Sequence, residues 1–170
     1  MNRVAKFEKV SFKQFYKDYI DVFGEVEESK VQEIYDSIKL PKRGTKYSAG
    51  YDFFAYQDIS LKPNETIKFP SGIRCKIDND YVLLIMPRSS LGFKYRLQLD
   101  NTVGVIDADY YNALNEGHMF IKMTNDSRSN KELLVKCGDG YAQGIFMSYG
   151  ITIDDESDVE RTGGIGSTTK

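Results

Sequence analysis

Past Pro41 the chain is cut by glycine, asparagine and aspartate into short apolar runs, and this punctuation limits the fold more than any other feature. Such runs are too brief for helices and match strands in length and period. Ile73, Cys75 and Ile77 alternate with Arg74, Lys76 and Asp78, as on a strand with one face buried. Tyr81 to Met86 is continuously apolar and suits a strand buried on both faces. Met119, Ile121 and Met123 alternate again, and further runs lie at Leu133 to Lys136, at Ile145 to Met147 and at Tyr149, Ile151 and Ile153. Many short strands with frequent turns predict an all-β fold: a sandwich, jelly roll or barrel. A length of 170 residues holds one such domain, assigned here to residues 1–160.

The ends differ from this body. Phe12, Phe15, Tyr16, Tyr19, Ile20 and Phe23 recur at the spacing of one helical face, with Ser11 and Gln14 placed as a capping box and Gly24 as a stop. Val31, Ile34, Tyr35 and Ile38 repeat the pattern before Pro41 ends it, so residues 11–38 read as two amphipathic helices. Residues 161–170 combine glycines with Ser and Thr, lack an apolar period, and read as a flexible tail.

A formal charge of -2, with no run of Lys or Arg, argues against stable nucleic-acid binding. The two cysteines, Cys75 and Cys137, stand far apart in no metal-ligand spacing, which fits reduced thiols. Neither a signal peptide nor a membrane-spanning run is evident, so the expected location is the cytoplasm.

Four segments carry chemistry, each with a plainer alternative. In Ser48 to Phe53, small residues precede Asp52 at the mouth of a strand, where a carboxylate can hold a hydrated cation; an ordinary turn explains the same residues. Met86 to Gly92 offers the Arg88 guanidinium and the Ser89 and Ser90 hydroxyls to a phosphate chain, or else is a polar loop whose serines cap a helix. Asn101 to Tyr110 reads as a hairpin with Gly104 at or near a position of unusual backbone geometry. Its free backbone groups and the Asn101 amide can read a pyrimidine edge, and Asp107, sheltered behind apolar residues, can act as general base on a water. The alternative is a hairpin with a solvated acidic turn. In the tail, glycine amides and hydroxyls can form a nest for an anion, though the spacing is not that of a P-loop.

Taken in order, and with Gly138-Asp139-Gly140-Tyr141-Ala142-Gln143 added, these segments resemble the motifs of the homotrimeric dUTPase family. Pro-Arg-Ser-Ser-Leu-Gly at 87–92 and Gly-Val-Ile-Asp-Ala-Asp-Tyr at 104–110 are the most specific, and the likeness runs from about Ile38 to the C-terminus. The resemblance implies a distorted jelly roll in a homotrimer whose chains share each active site. It also implies hydrolysis of dUTP to dUMP and pyrophosphate with Mg²⁺, limiting uracil in DNA and supplying dUMP for thymidylate synthesis. By the same resemblance Asp107 activates the attacking water, Tyr110 packs against deoxyribose, and Asn101 with the Gly104 backbone reads uracil. Arg88, Ser89 and Ser90 meet phosphate, Gln143 orders the water, and Asp52 reaches magnesium through water. Arg161, Ile165, Gly166, Ser167 and Thr168 belong to a tail that closes over the substrate.

Three residues depart from the family pattern: Ile165 where Phe is usual, Gly140 in place of Arg, and Thr169 in place of Gly. Because Ile165 cannot stack on a base as an aromatic ring does, Phe93 is the alternative candidate. Val4 to Val10 fits the family's first strand, making residues 11–38 a helical insert that either packs on the barrel or docks a regulatory protein. The rival activities are a dCTP deaminase of the same fold, which wants a Glu where His118 to Met123 holds no acid, and a nucleotide-gated regulatory module.

Overall fold

The computed structural model describes residues 2–159, 161 and 163. In chain order its elements are β1 (Ala5–Lys9), α1 (Phe12–Phe23), α2 (Glu28–Ser37), β2 (Lys42–Arg43), β3 (Tyr51–Phe54), β4 (Ile59–Leu61), β5 (Thr66–Pro70), β6 (Ile73–Ile77) and β7 (Tyr81–Pro87). Then follow α3 (Ser89–Tyr95), β8 (Leu97–Leu99), β9 (Gly104–Ile106), a 3₁₀ helix (Ala108–Asn112), β10 (Phe120–Asn125), β11 (Leu133–Val135) and β12 (Gly140–Ser148).

Among the described residues the fold is mostly β, with three α-helices, and its strands pair in four antiparallel sheets. The largest runs β2-β3-β12-β7-β9, and a second runs β5-β10-β8. Alternation does the building: Ile73, Cys75 and Ile77 are buried, as are Ile121 and Met123, while Lys76 and Lys122 point outward. Phe53, Phe69, Leu83, Ile85 and Tyr141 fill the space between sheets. Each fully buried side chain of this size contributes about 1.5–3 kcal/mol through apolar area removed from water.

The Ser11 hydroxyl accepts the Gln14 amide at 3.1 Å and so caps α1, while Gly24, at φ 83°, ends it. The expected capping box is only half made. Gln14 turns its side chain to Asp18, and the Ser11 amide donates instead to Glu116 at 2.7 Å. Phe15 and Tyr19 are buried, Phe15 meeting Tyr56 edge to face at 5.5 Å between ring centres. The apolar faces of α1 and α2 therefore pack on the β body, and no large hydrophobic residue between Phe12 and Ser37 is exposed.

Three sequence expectations fail. Tyr149, Ile151 and Ile153 form no strand; β12 ends at Ser148, opposite Tyr81 where its partner β7 begins, and the side chains beyond lie open, Ile153 fully. Asn101 to Tyr110 is not a hairpin, since β8 pairs with β10 and β9 with β7, so the turn between them carries the chain from one sheet to another. The unusual backbone falls at Thr102 (φ 66°) and not at Gly104. Finally, β7 is buried on one face only: Leu83 and Ile85 are inside, Val82 and Leu84 half-buried.

Candidate active site

β9 is the edge of the five-stranded sheet, so among the described residues the backbone N–H and C=O groups on its outer side have no strand partner. Beside it opens a cavity of about 150 Å³ lined by Asn101, Gly104, Ile106, Tyr110, Met119 and Arg161, among others. Glycine at 104 keeps the floor low: a Cβ there would sit 3.3 Å from Cβ of Ile85. The cavity thus offers free backbone donors and acceptors, the Asn101 amide, an aromatic ring and apolar walls, a set that suits a flat polar heterocycle joined to a sugar.

Tyr110 lies on the 3₁₀ helix with its ring buried. Its hydroxyl donates to the His118 carbonyl at 2.8 Å and accepts from Asn115 Nδ2 at 2.8 Å. Burial pushes its phenol above the ordinary value, against the opposing effects of the Asn115 hydrogen bond and the Arg161 charge. Gly117, at φ 69°, lets the following loop turn back onto this ring; a Cβ there would come within 2.7 Å of the Tyr110 carbonyl oxygen.

Asp107 follows β9 directly. Its carboxylate accepts an ion pair from Arg161 Nη1 at 3.3 Å, and the same nitrogen lies 3.2 Å from Asp109. Among the described residues the expected shelter is not complete: the Asp107 side chain is 51 % exposed. Arg161 is held closely, at 15 % exposure, with its guanidinium 5.6 Å from the centre of the Tyr110 ring.

A second cleft, of about 370 Å³, gathers Asp52, Arg88, Ser89, Ser90, Gln143 and Gly50, with Thr45 and Ser48 at its rim. Arg88 Nε lies 3.0 Å from Asp52, and Arg88 Nη1 donates to the Gly140 carbonyl at 3.3 Å. Gly140, the residue that departs from the family pattern, makes room for this arginine, since a Cβ would meet Arg88 Nη1 at 2.9 Å. Gln143 pairs in register with Asp52 across β3 and β12, and its amide donates to the Pro87 carbonyl at 3.2 Å. Ser89 and Ser90 open α3 with exposed side chains.

The predicted residues therefore form two groups, one in each of these clefts, while Asp107 lines neither and borders a separate open hollow with Val105 and Asp109. The clefts share no lining residue, and three interstrand gaps separate β9 from β3, about 14 Å at the usual spacing. Phe93 lies on α3, 91 % exposed, and does not line the cavity. Ile165, Gly166, Ser167 and Thr168 lie outside the described residues. Sequence reasoning passed over Asn115 and His118, which hold Tyr110; the only signal was that His118 is the sole histidine.

The sequence profile of the dUTPase family matches residues 36–169. A protein of Lactococcus lactis subsp. lactis (strain IL1403), named deoxyuridine 5'-triphosphate nucleotidohydrolase, is 43% identical over 134 residues, covering 77% of this chain and 88% of that relative. One of the same name from Finegoldia magna is 38% identical over 137 residues, covering 76% of this chain and 90% of the relative. Among solved structures, the dUTPase from Streptococcus mutans superposes with a TM-score of 0.58 at 36% identity, over 66% of this chain and 88% of that one. The dUTPase from phage phi11 of S. aureus superposes with a TM-score of 0.62 over 92% of this chain and 97% of its own, and at 19% identity it speaks for the fold alone. α1 and most of α2 precede the matched region. With the profile covering every strand from β2 to β12 and both clefts, the chain belongs to the dUTPase family.

Proposed function

We propose that this protein hydrolyses dUTP to dUMP and pyrophosphate, with each active site completed between chains of a homotrimer of distorted jelly rolls. The observation that carries the reading is the grouping of Asn101, the Gly104 backbone and Tyr110 around one cavity, with Asp107 ion-paired to Arg161, which lines the same cavity. In this scheme uracil lies against the free edge of β9 and deoxyribose packs on Tyr110. Asp107 accepts a proton from water as that water attacks the α-phosphorus in line; the bond from the α-phosphorus to its bridging oxygen breaks and pyrophosphate leaves.

The separation of the two clefts supports the shared site, because Arg88, Ser89, Ser90 and Gln143 are displaced from Asp107 in one chain and would serve a neighbour's cavity. The exposure of Asp107 supports it too: a neighbouring chain would supply the missing shelter. Arg161 and the tail residues Ile165, Gly166, Ser167 and Thr168 would close over the phosphates and exclude bulk water.

Among the described residues no group of three or more His, Cys, Asp or Glu forms a cage for a metal ion. The donors fit magnesium carried on the triphosphate, with Asp52 reaching it through water, since that ion keeps several waters and binds substrate oxygens. When bound, it would spread charge over the phosphate chain.

Deamination of dCTP needs an acid beside the base, and among the described residues no carboxylate lines the cavity, β10 reading Phe-Ile-Lys-Met-Thr-Asn. The packed faces of α1 and α2 favour a structural role for that segment over a docking surface. Purified protein with Mg²⁺ should release dUMP and pyrophosphate from dUTP and no ammonia from dCTP. Ammonia would overturn the assignment, and inertness toward both nucleotides would point to the regulatory alternative.

A further inference from the structure

Tyr110 is joined to the N-terminal helix by a chain of buried polar contacts. Its hydroxyl hangs on the His118 carbonyl, which also accepts from Asn115 Nδ2 at 3.2 Å. The His118 ring is completely buried, between Phe15 and Phe120. Its Nε2 accepts the Gly72 amide at 2.8 Å, which places the ring proton on Nδ1, 2.5 Å from Asp18 Oδ2. Asp18 takes a second hydrogen bond at the same oxygen from Gln14, 2.7 Å away, and its side chain is 13 % exposed. Burial alone would raise the Asp18 carboxyl; the hydrogen bonds from His118 and Gln14 outweigh it and hold the group below its ordinary value.

A simple helix-packing role would not need this arrangement. The apolar face of α1 already seats the helix through Phe15 and Tyr19. Asp18 instead spends a largely buried carboxylate on the one imidazole whose own backbone oxygen holds the Tyr110 hydroxyl. A buried imidazole tied at both nitrogens has a single ring orientation, and its backbone is fixed with it.

We propose that Asp18 and His118 are positioning residues for Tyr110, so that α1, which precedes the part of the chain matched by the family profile, takes part in the choice of deoxyribose over ribose. The inference rests on the reading of Tyr110 as the surface that meets the sugar. Asp18 touches no substrate; it acts by holding His118, and His118 by holding the tyrosine.

The test compares kcat and KM for dUTP and UTP in the whole protein, with thermal stability followed in parallel. Asp18→Ala should lower the dUTP:UTP ratio of kcat/KM about fivefold to tenfold, the order expected when a binding surface shifts by a fraction of an ångström. The loss should appear chiefly as a weaker KM for dUTP. In a Tyr110→Phe background, where the hydroxyl link is already gone, Asp18→Ala should lower the ratio no further.

Asp18→Asn, which keeps an acceptor for His118 Nδ1 without the charge, should fall between the two and carries the test if Asp18→Ala does not fold. A lower melting temperature with an unchanged dUTP:UTP ratio would overturn the proposal. So would an equal fall of the ratio in the Tyr110→Phe background. A wild-type protein that turns over dUTP and UTP alike would defeat the reading of Tyr110 itself, a result separable from either of these.

Discussion

Arg88 Nε and Asp52 Oδ1 lie 3.0 Å apart, so the guanidinium proposed to meet phosphate is aimed by the carboxylate proposed to reach magnesium. The pair is partly open, at 37 % and 23 % side-chain exposure, and its worth lies in direction more than in stability. Gly140 is the third member, because its lack of a side chain lets Arg88 lie flat over β12.

Gly140→Ala tests that arrangement. The new Cβ would meet the flexible end of Arg88, which can move aside, so the melting temperature should change little. The displaced guanidinium should raise KM for dUTP by about tenfold, as loss of a charge-assisted contact does. Steady-state kinetics beside calorimetry separate the two effects, and a large loss of stability with normal KM would contradict them.

Asp107→Asn should reduce kcat by about 10²–10⁴, the usual contribution of a general base, and leave nucleotide affinity within a few-fold of the parent. Single-turnover kinetics with equilibrium binding of dUTP distinguish these quantities. Loss of binding without loss of the chemical step would contradict the role assigned to this carboxylate.

Tyr149, Ile151 and Ile153 leave apolar side chains exposed beyond β12, and Tyr149 lines an open cleft with half-buried Val82 and Leu84. Exposed apolar side chains this close together in the sequence favour burial against another chain. If the proposed trimer buries this surface, Ile151→Lys together with Ile153→Lys should lower the mass seen by light scattering from that of a trimer toward that of a monomer, keep the circular dichroism of the β body, and abolish activity. A fully active monomer would refute the shared site.

The N-terminal helix should be acid-labile. Asp18 and Glu116 both titrate below their ordinary values of 3.8 and 4.5; for each, burial acts upward and is outweighed, at Asp18 by His118 and Gln14, at Glu116 by the Ser11 hydroxyl and amide. A depressed carboxyl adds stability that is fully present above the unfolded value and is lost as pH falls through the folded one. Melting temperature should hold above about pH 5 and fall steeply below pH 4, with a shallower fall in Asp18→Asn. Thermal scans across that range check it.

The local sequence determined the character of each element. The period of Phe12 to Phe23, closed by Ser11 and Gly24, could only be an amphipathic helix, and the alternation at Ile73 to Ile77 could only place one face inward. Propensity, capping and side-chain period act over a few residues, so they survive in the sequence as pattern. Asn101, Gly104, Asp107 and Tyr110 were legible for the same reason, standing within one short segment. Partners distant in the chain leave no such pattern. That Leu97–Leu99 and Gly104–Ile106 enter different sheets, that Asp52 meets Arg88, and that Asp107 stays half exposed among the described residues were decided by which surfaces pack together. Asp18 and His118, a hundred positions apart, show the limit most clearly: each alone is an ordinary polar residue, and only the packing of α1 on the β body brings carboxylate, imidazole and Tyr110 into one line.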